Sequence, residues 1–216
     1  MKSILLKDRA DGGKKLSQEL LKYKKDNLII LALPRGGVPI GYEIAKKLRL
    51  NLNVIVSQKL GSPENPELGI GAISENSTQV LDTHLITTLN VSKNELSNVI
   101  IKEKKELERR VCLYRNSEPL PDLTNKTILL VDDGLATGVT AEAAIKSLKK
   151  LKPKKIIFAA PVCALDTTGR LKKTIDELIC ITTPHNFFSV GSWYKHFPQA
   201  TDQDVIRLLK KANKYS

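Results

Sequence analysis

The densest chemistry in the chain lies in Ile128-Leu129-Leu130-Val131-Asp132-Asp133-Gly134-Leu135-Ala136-Thr137-Gly138-Val139-Thr140. Four apolar residues predict a buried parallel strand, and two adjacent carboxylates fall where it ends. A loop of Gly, Ala and Thr then opens into a helix predicted over Val139 to Leu151. Small residues let backbone N–H groups close on a phosphate, and a helix N-terminus adds partial positive charge and unpaired donors. Thr137 and Thr140 add hydroxyl donors. Carboxylates at the strand end accept hydrogen bonds from vicinal sugar hydroxyls, or hold them through Mg²⁺. The stretch therefore suits a ligand carrying a phosphate and a pair of ribose hydroxyls. The alternative is an ordinary strand-to-helix turn with two solvated Asp residues, but such a turn rarely needs these residue types in this order.

A second strand-to-helix loop lies upstream, in Leu33-Pro34-Arg35-Gly36-Gly37-Val38-Pro39-Ile40-Gly41. Arg35 offers a planar fork for phosphate oxygens, and Gly36 and Gly37 permit backbone geometry that a Cβ would block. Ser57 to Gly69 is rich in Pro, Gly and Asn, which predicts a mobile loop with Lys59 at the end of a strand and Glu67 further along. Half of the aromatics crowd into Phe187, Phe188, Trp193, Tyr194 and Phe197. They read either as a stacking platform or as rings packing a C-terminal helix.

The elements that must position these residues alternate. Helices are predicted over Lys14 to Lys25, Val38 to Leu48 and Leu165 to Thr174, and over Asp202 to Ala212 at the chain's end. Ser92 to Glu95 forms a capping box that opens a long helix carrying Leu96, Ile100, Leu107, Val111 and Tyr114. Strands are predicted at Leu28 to Leu33, Asn53 to Ser57, Ile128 to Val131, Lys155 to Val162 and Glu177 to Thr182. Ile70 to Ser74 and Thr78 to Leu81 form a hairpin or an excursion from the sheet. Strands separated by helices mean βαβ units in an α/β fold with a mostly parallel sheet, and ligands then sit at the carboxyl ends of its strands.

At 216 residues the chain is long enough for one substantial core. No apolar run is long enough to span a membrane, and the N-terminal apolar stretch is too short for a signal peptide. Cys112, Cys163 and Cys180 are widely spaced with no C-x-x-C, as expected of reduced thiols in a cytoplasmic protein. The net charge of +12 comes from lysines scattered over several segments, many at a helix end or in i,i+4 pairs. That distribution favours solvated faces and attraction of a polyanionic small substrate over a nucleic-acid partner. It leaves open whether the cations converge on one surface.

The stretch from Val131 to Thr140, with Arg35-Gly36-Gly37 upstream in the expected order, resembles the phosphoribosyl-pyrophosphate signature of the type I phosphoribosyltransferases. The resemblance covers about Leu28 to Thr182. The whole chain is similar to a group of bacterial members whose acceptor is unassigned. It implies one domain, with a twisted sheet flanked by helices (core about 26–75 and 122–183), a helical insertion (about 82–115) and a small hood with a C-terminal helix (about 184–216). It assigns Asp132 and Asp133 to the ribose hydroxyls and to Mg²⁺, the latter held through water or the substrate's own hydroxyls. Gly134, Leu135, Ala136, Thr137, Gly138, Val139 and Thr140 would wrap the 5-phosphate. Arg35, Gly36 and Gly37 would hold pyrophosphate, often with a cis non-proline peptide. Lys59 would meet the leaving group, Glu67 would position the loop or the nucleophile, and Trp193 in the hood would hold the acceptor. The implied reaction transfers the 5-phosphoribosyl group to a base or amine with loss of pyrophosphate, in nucleotide metabolism. Members that act on 6-oxopurines carry an acid where this chain has Ala136. A competing reading is a non-catalytic sensor of phosphoribosyl pyrophosphate that binds nucleic acid through its basic surface. A homo-oligomer is left open.

Overall fold

The computed structural model describes residues 5–24 and 27–215, the side chain of Tyr215 excepted. The chain falls into two compact units, one of residues 1–54, 120–138 and 151–216, the other of residues 55–119 and 139–150. No described helix is long and apolar enough to cross a membrane.

The first unit is built on five parallel strands: β1 (Leu28–Ala32), β2 (Leu52–Val54), β6 (Thr127–Val131), β7 (Lys155–Val162) and β8 (Glu177–Thr182). They form one sheet in the order β2-β1-β6-β7-β8. In β6 every residue is buried, as a strand flanked on both sides and covered on both faces requires. From β1 the chain runs outward to β2, and from β6 it runs outward the other way to β7 and β8. The strand order therefore reverses between β1 and β6, which is where open α/β sheets bind ligands. Register Ala32↔Val131↔Ala159 ends β1 and β6 level with one another, while β7 runs on to Val162.

Four helices belong to this unit: α1 (Arg9–Glu19), α2 (Gly37–Leu48), α6 (Leu165–Leu171) and α7 (Asp202–Ala212). The first begins five residues earlier than its sequence pattern predicts and ends at Glu19, followed by a 3₁₀ turn at Leu21–Tyr23. Lys25, the expected end, lies outside the described residues. Asp8 caps the true start by accepting from the Asp11 N–H at 2.8 Å. Gly12 and Gly13 disguised this turn, since glycine is a poor helix former. Packing explains them. A Cβ on Gly13 would lie 2.8 Å from the Ile40 carbonyl of α2, and one on Gly12 would lie 2.8 Å from the Pro161 ring. At the other end of the chain, Asn213 pins the end of α7 to β2, exchanging side-chain hydrogen bonds with both the N–H and C=O of Leu52.

The second unit holds a three-stranded antiparallel sheet of β3 (Ser57–Gly61), β4 (Gly69–Ser74) and β5 (Thr78–Leu81), with β4 in the middle. With it are α3 (Thr83–Thr88), α4 (Lys93–Arg115) and α5 (Val139–Lys149). The single strand expected over Asn53 to Ser57 is two: β2 ends at Val54, and Ser57 opens a strand of a different sheet. Both arms of the predicted capping box form at the start of α4. Its last turn carries Arg115, which grips Glu75 in a pair that is about nine-tenths buried (2.6 and 3.0 Å). Glu75 also accepts from the Val56 N–H at 2.8 Å, so one carboxylate ties the helix to the start of β3.

Removing one partner of a buried ion pair leaves an uncompensated charge. Arg115→Ala is therefore expected to cost about 3 kcal/mol, read as a lower urea midpoint. A loss below about 0.5 kcal/mol would place the pair among solvent-screened surface bridges.

Candidate functional site

Asp132 and Asp133 follow the last residue of β6, at the level where β1 also ends. Pairing continues just past the strands. The Leu33 N–H donates to the Val131 carbonyl at 2.8 Å, and the Asp132 N–H to that of Ala159 at 3.2 Å. The two predicted loops, after β1 and after β6, are thereby held side by side at the switch point. Their closeness demands glycine. A Cβ on Gly36 would run into the Asp133 carboxylate, and one on Gly37 would lie 2.5 Å from the Val131 carbonyl oxygen. The peptide joining Pro34 to Arg35 is cis, as the resemblance implies.

The carboxylates are poorly solvated. Burial, reinforced by the neighbouring Asp133 charge, raises the Asp132 acid well above the usual range. Burial also raises Asp133, opposed by Arg9. The Arg9 Nε donates to Asp133 Oδ2 at 2.7 Å, with side-chain exposures of only 12% and 14%. Arg9 Nη1 donates to the Pro198 carbonyl at 2.7 Å, and its guanidinium lies 3.7 Å from the centre of the Phe197 ring. Tyr194 stacks on Phe197 at 4.8 Å and donates its hydroxyl to the Asp133 carbonyl at 2.6 Å. Burial pushes the Tyr194 hydroxyl up, which keeps it a donor. Arg9, Tyr194 and Phe197 thus form a bracket around Asp133. No motif in the sequence marked Arg9; its only signal was an Arg beside the capping Asp8 and the paired glycines of α1.

Beyond the carboxylates the loop is held by α6. Thr167 Oγ1 donates to the Ala136 carbonyl at 2.6 Å, and Arg170 donates to the Thr137 carbonyl. Gly138 takes the left-handed conformation (φ 77°), where a side chain would be strained. Carbonyls are thus drawn toward α6, while the N–H groups of Ala136, Thr137 and Gly138 donate to no protein acceptor among the described residues. Gly134 and Leu135 link this loop to the carboxylates, and Leu135 is fixed by bonds to Val162 and Ala164. Val139 and Thr140 open α5 in the second unit.

Arg35 stands 3.6 Å from Asp202, in the first turn of α7, as a partly exposed pair. Lys59 and Glu67 belong to the second unit; Lys59, expected at the end of a strand that opens a mobile loop, lies inside β3, paired with Ala72 of β4. The turn that follows is internally bonded, Ser62 donating to Leu68 and Leu68 to Asn65. Lys59 Nζ reaches Glu67 through its carbonyl (3.1 Å) and carboxylate (3.6 Å). Trp193 packs with Phe187, Val190 and Phe197 on Leu6, Val162 and Tyr194. Its buried indole N–H has no partner among the described residues, and the open ring of the segment is Phe188, 92% exposed. Cys163 is buried. A hydrogen bond with Cys180, together with burial, holds the Cys163 thiol protonated, unlike a nucleophile's.

The family described as the phosphoribosyl transferase domain matches residues 3–195. The chain belongs to that family. Two proteins of Mycobacterium tuberculosis, strains CDC 1551 and H37Rv, provisionally named phosphoribosyl transferases, are 37% identical over 210 residues. The match spans 97% of this chain and 47% of theirs, so the chain covers about half the length of these relatives. The crystal structure of TT1426 from Thermus thermophilus is similar throughout, with TM-score 0.78 and 31% identity over 96% of this chain and 98% of that one. AQ2163 from Aquifex aeolicus shares the fold at TM-score 0.53 and 15% identity, over 85% of this chain and 78% of its own.

If Arg9 compensates Asp133, the two residues are energetically coupled. Arg9→Ala should cost about 2–4 kcal/mol of stability, and adding Asp133→Asn should recover at least about 1 kcal/mol of it in a double-mutant cycle. Additive losses in denaturant unfolding would mean the pair carries no net interaction.

Proposed function

We propose that this chain transfers the 5-phosphoribosyl group of phosphoribosyl pyrophosphate to a nitrogenous base or amine, releasing pyrophosphate. The observation that carries the reading is the juxtaposition at the switch point: a half-buried carboxylate pair followed within a few residues by three backbone N–H groups without acceptors among the described residues. Vicinal ribose hydroxyls need acceptors and a phosphate needs donors, and both are supplied within a few residues. Asp132 and Asp133 are assigned to the ribose hydroxyls, and the loop from Gly134 through Ala136 to Thr140 to the 5-phosphate. The Arg35-Gly36-Gly37 loop is assigned to pyrophosphate. The Arg35–Asp202 pair is long and partly exposed, so it exchanges readily for a phosphate. By the family resemblance, Lys59 is the cation for the departing pyrophosphate, and Glu67 sets its position.

Mg²⁺ fits this donor set. No group of three or more metal-ligating side chains occurs among the described residues, but Mg²⁺ is commonly bound through one or two carboxylates plus substrate phosphates. Asp132 and Asp133 would hold it together with the substrate. When bound it would neutralise charge building on the leaving pyrophosphate. The chain's own contribution is to fix the ribosyl phosphate and place donors where that charge develops.

The acceptor is assigned by class. A flat heterocycle or amine approaching the aromatic segment can stack on Phe188, which is free to receive it, or meet Trp193 at the edge of its cluster. Position 136 carries no acid to exchange a proton with a purine ring. In a panel of purines, pyrimidines and amines assayed for pyrophosphate release, hypoxanthine and guanine should turn over at least about a hundredfold more slowly than the best acceptor. Phe188→Ala should raise the acceptor KM while leaving phosphoribosyl-pyrophosphate binding intact. Rapid hypoxanthine turnover would overturn the reading of Ala136. Binding without pyrophosphate release for any acceptor would favour the non-catalytic sensor.

A further inference from the structure

Outside the carboxylate site, four cations that lie far apart in sequence line one open cavity. The C-terminal end of α2 and that of α7 flank it; its volume is about 740 Å³, and Tyr42, Lys46, Arg49, Asn51, Lys211 and Lys214 line it, the four cations being exposed. Four of these side chains are cationic and none is acidic. Among the described residues none of the four cations has an ion-pair partner, so their charge is available to a ligand.

Capping explains part of this. Lysines in the last turn of a helix complement its macrodipole, and Lys46 and Lys211 qualify. It does not explain the rest. Each helix C-terminus is worth roughly half a negative charge, so two of them leave most of the four positive charges uncompensated. Lys214 lies beyond the end of α7. Arg49, at the C-cap of α2, sits in the left-handed region at φ 58°, ψ 50°. Glycine is the usual residue there because a Cβ is strained. From this position the Arg49 side chain lines the cavity. The walls are also preorganised: Asn213, between Lys211 and Lys214, is clamped to Leu52 of β2 by two hydrogen bonds.

We propose that this cavity is a second anion site, distinct from the carboxylate site, that binds a small molecule bearing a di- or triphosphate group. Its volume falls in the range of small-molecule pockets. Four cations without ion-pair partners around one concavity match several phosphate charges at once, and the Tyr42 ring at its wall offers an aromatic face for a nucleoside. The phosphates have two sources, an inorganic polyphosphate or a nucleotide.

The test is calorimetric titration of the whole chain with inorganic tripolyphosphate and, separately, with ATP. It compares the wild type with Lys46→Gln/Arg49→Gly/Lys211→Gln/Lys214→Gln. Glycine at position 49 relieves the left-handed strain, so this variant should melt no lower than the wild type. Its affinity for tripolyphosphate should fall about a hundredfold, single changes costing about two- to fivefold each. Arg35→Gln, which weakens the loop assigned to pyrophosphate, should keep this binding, which separates the cavity from the proposed catalytic site. ATP binding tighter than tripolyphosphate, with the excess lost in Tyr42→Ala, identifies a nucleotide. Equal affinities identify the phosphates alone, and either result supports the site. Unchanged binding in the quadruple variant would overturn the proposal. So would a variant that loses affinity only for a single-stranded oligonucleotide, because the surface would then be a nucleic-acid face.

Discussion

Two adjacent carboxylates at the end of a buried strand are expensive to maintain, and much of the first unit is arranged around that cost. Neither Asp132 nor Asp133 is well solvated, and the charge on Asp133 raises the affinity of Asp132 for a proton. Arg9 answers the charge on Asp133. Tyr194 bonds the backbone of the same residue, and Phe197 carries the arginine on its face. Gly36 and Gly37 let the neighbouring loop come close enough to share the site. The first helix reaches the segment after the last strand through this guanidinium, beside the backbone bonds that Leu6 and Lys7 make to Trp193, Lys195 and His196. Asp132 keeps no cationic side chain as an ion-pair partner among the described residues, which suits a carboxylate that receives its positive charge with the ligand.

The sheet makes this arrangement unavoidable. Because the strand order reverses between β1 and β6, the loops leaving those strands lie at the switch point where open α/β sheets bind ligands. The loop after β1 carries glycine at the point of closest approach, and both loops lead into helices. Phosphate recognition by backbone N–H groups needs this combination of a small-residue loop and a helix start. The loop after β6 has its carbonyls tied back by Thr167 and Arg170, which fixes the N–H groups in the opposite sense before any ligand arrives. Such preorganisation lowers the ordering cost of binding.

The parallel sheet was legible because its signal is local. Apolar runs such as Ile128 to Val131 and Lys155 to Val162 stand between turn residues, and their predicted limits agree with the observed strands to within a residue. The phosphate loop was legible for the same reason. What the sequence hid was non-local. Gly12 and Gly13 look like a break but serve a helix crossing, so α1 and its Arg9 went unmarked. Lys59 lies in a strand because Ser57 to Gly61 finds its partner in β4, and a run containing Gln, Lys and Gly carries no strand period of its own. The aromatic segment left two readings open. Packing accounts for Trp193, Tyr194 and Phe197, while Phe188 remains exposed. Convergence of lysines from α2 and α7 follows from tertiary packing alone.

The most direct test of the account is the equilibrium affinity for phosphoribosyl pyrophosphate, measured by dialysis with and without Mg²⁺ in the wild type and in Asp132→Asn/Asp133→Asn. If the strand-end carboxylates hold the ribosyl group, the wild type binds more tightly with Mg²⁺ than without it. The double variant should then lose at least about a hundredfold in affinity, together with its response to Mg²⁺, while remaining folded. A folded double variant that binds as tightly as the wild type would contradict the central claim, because Asp132 and Asp133 would then be features of the fold with no part in recognising the ligand.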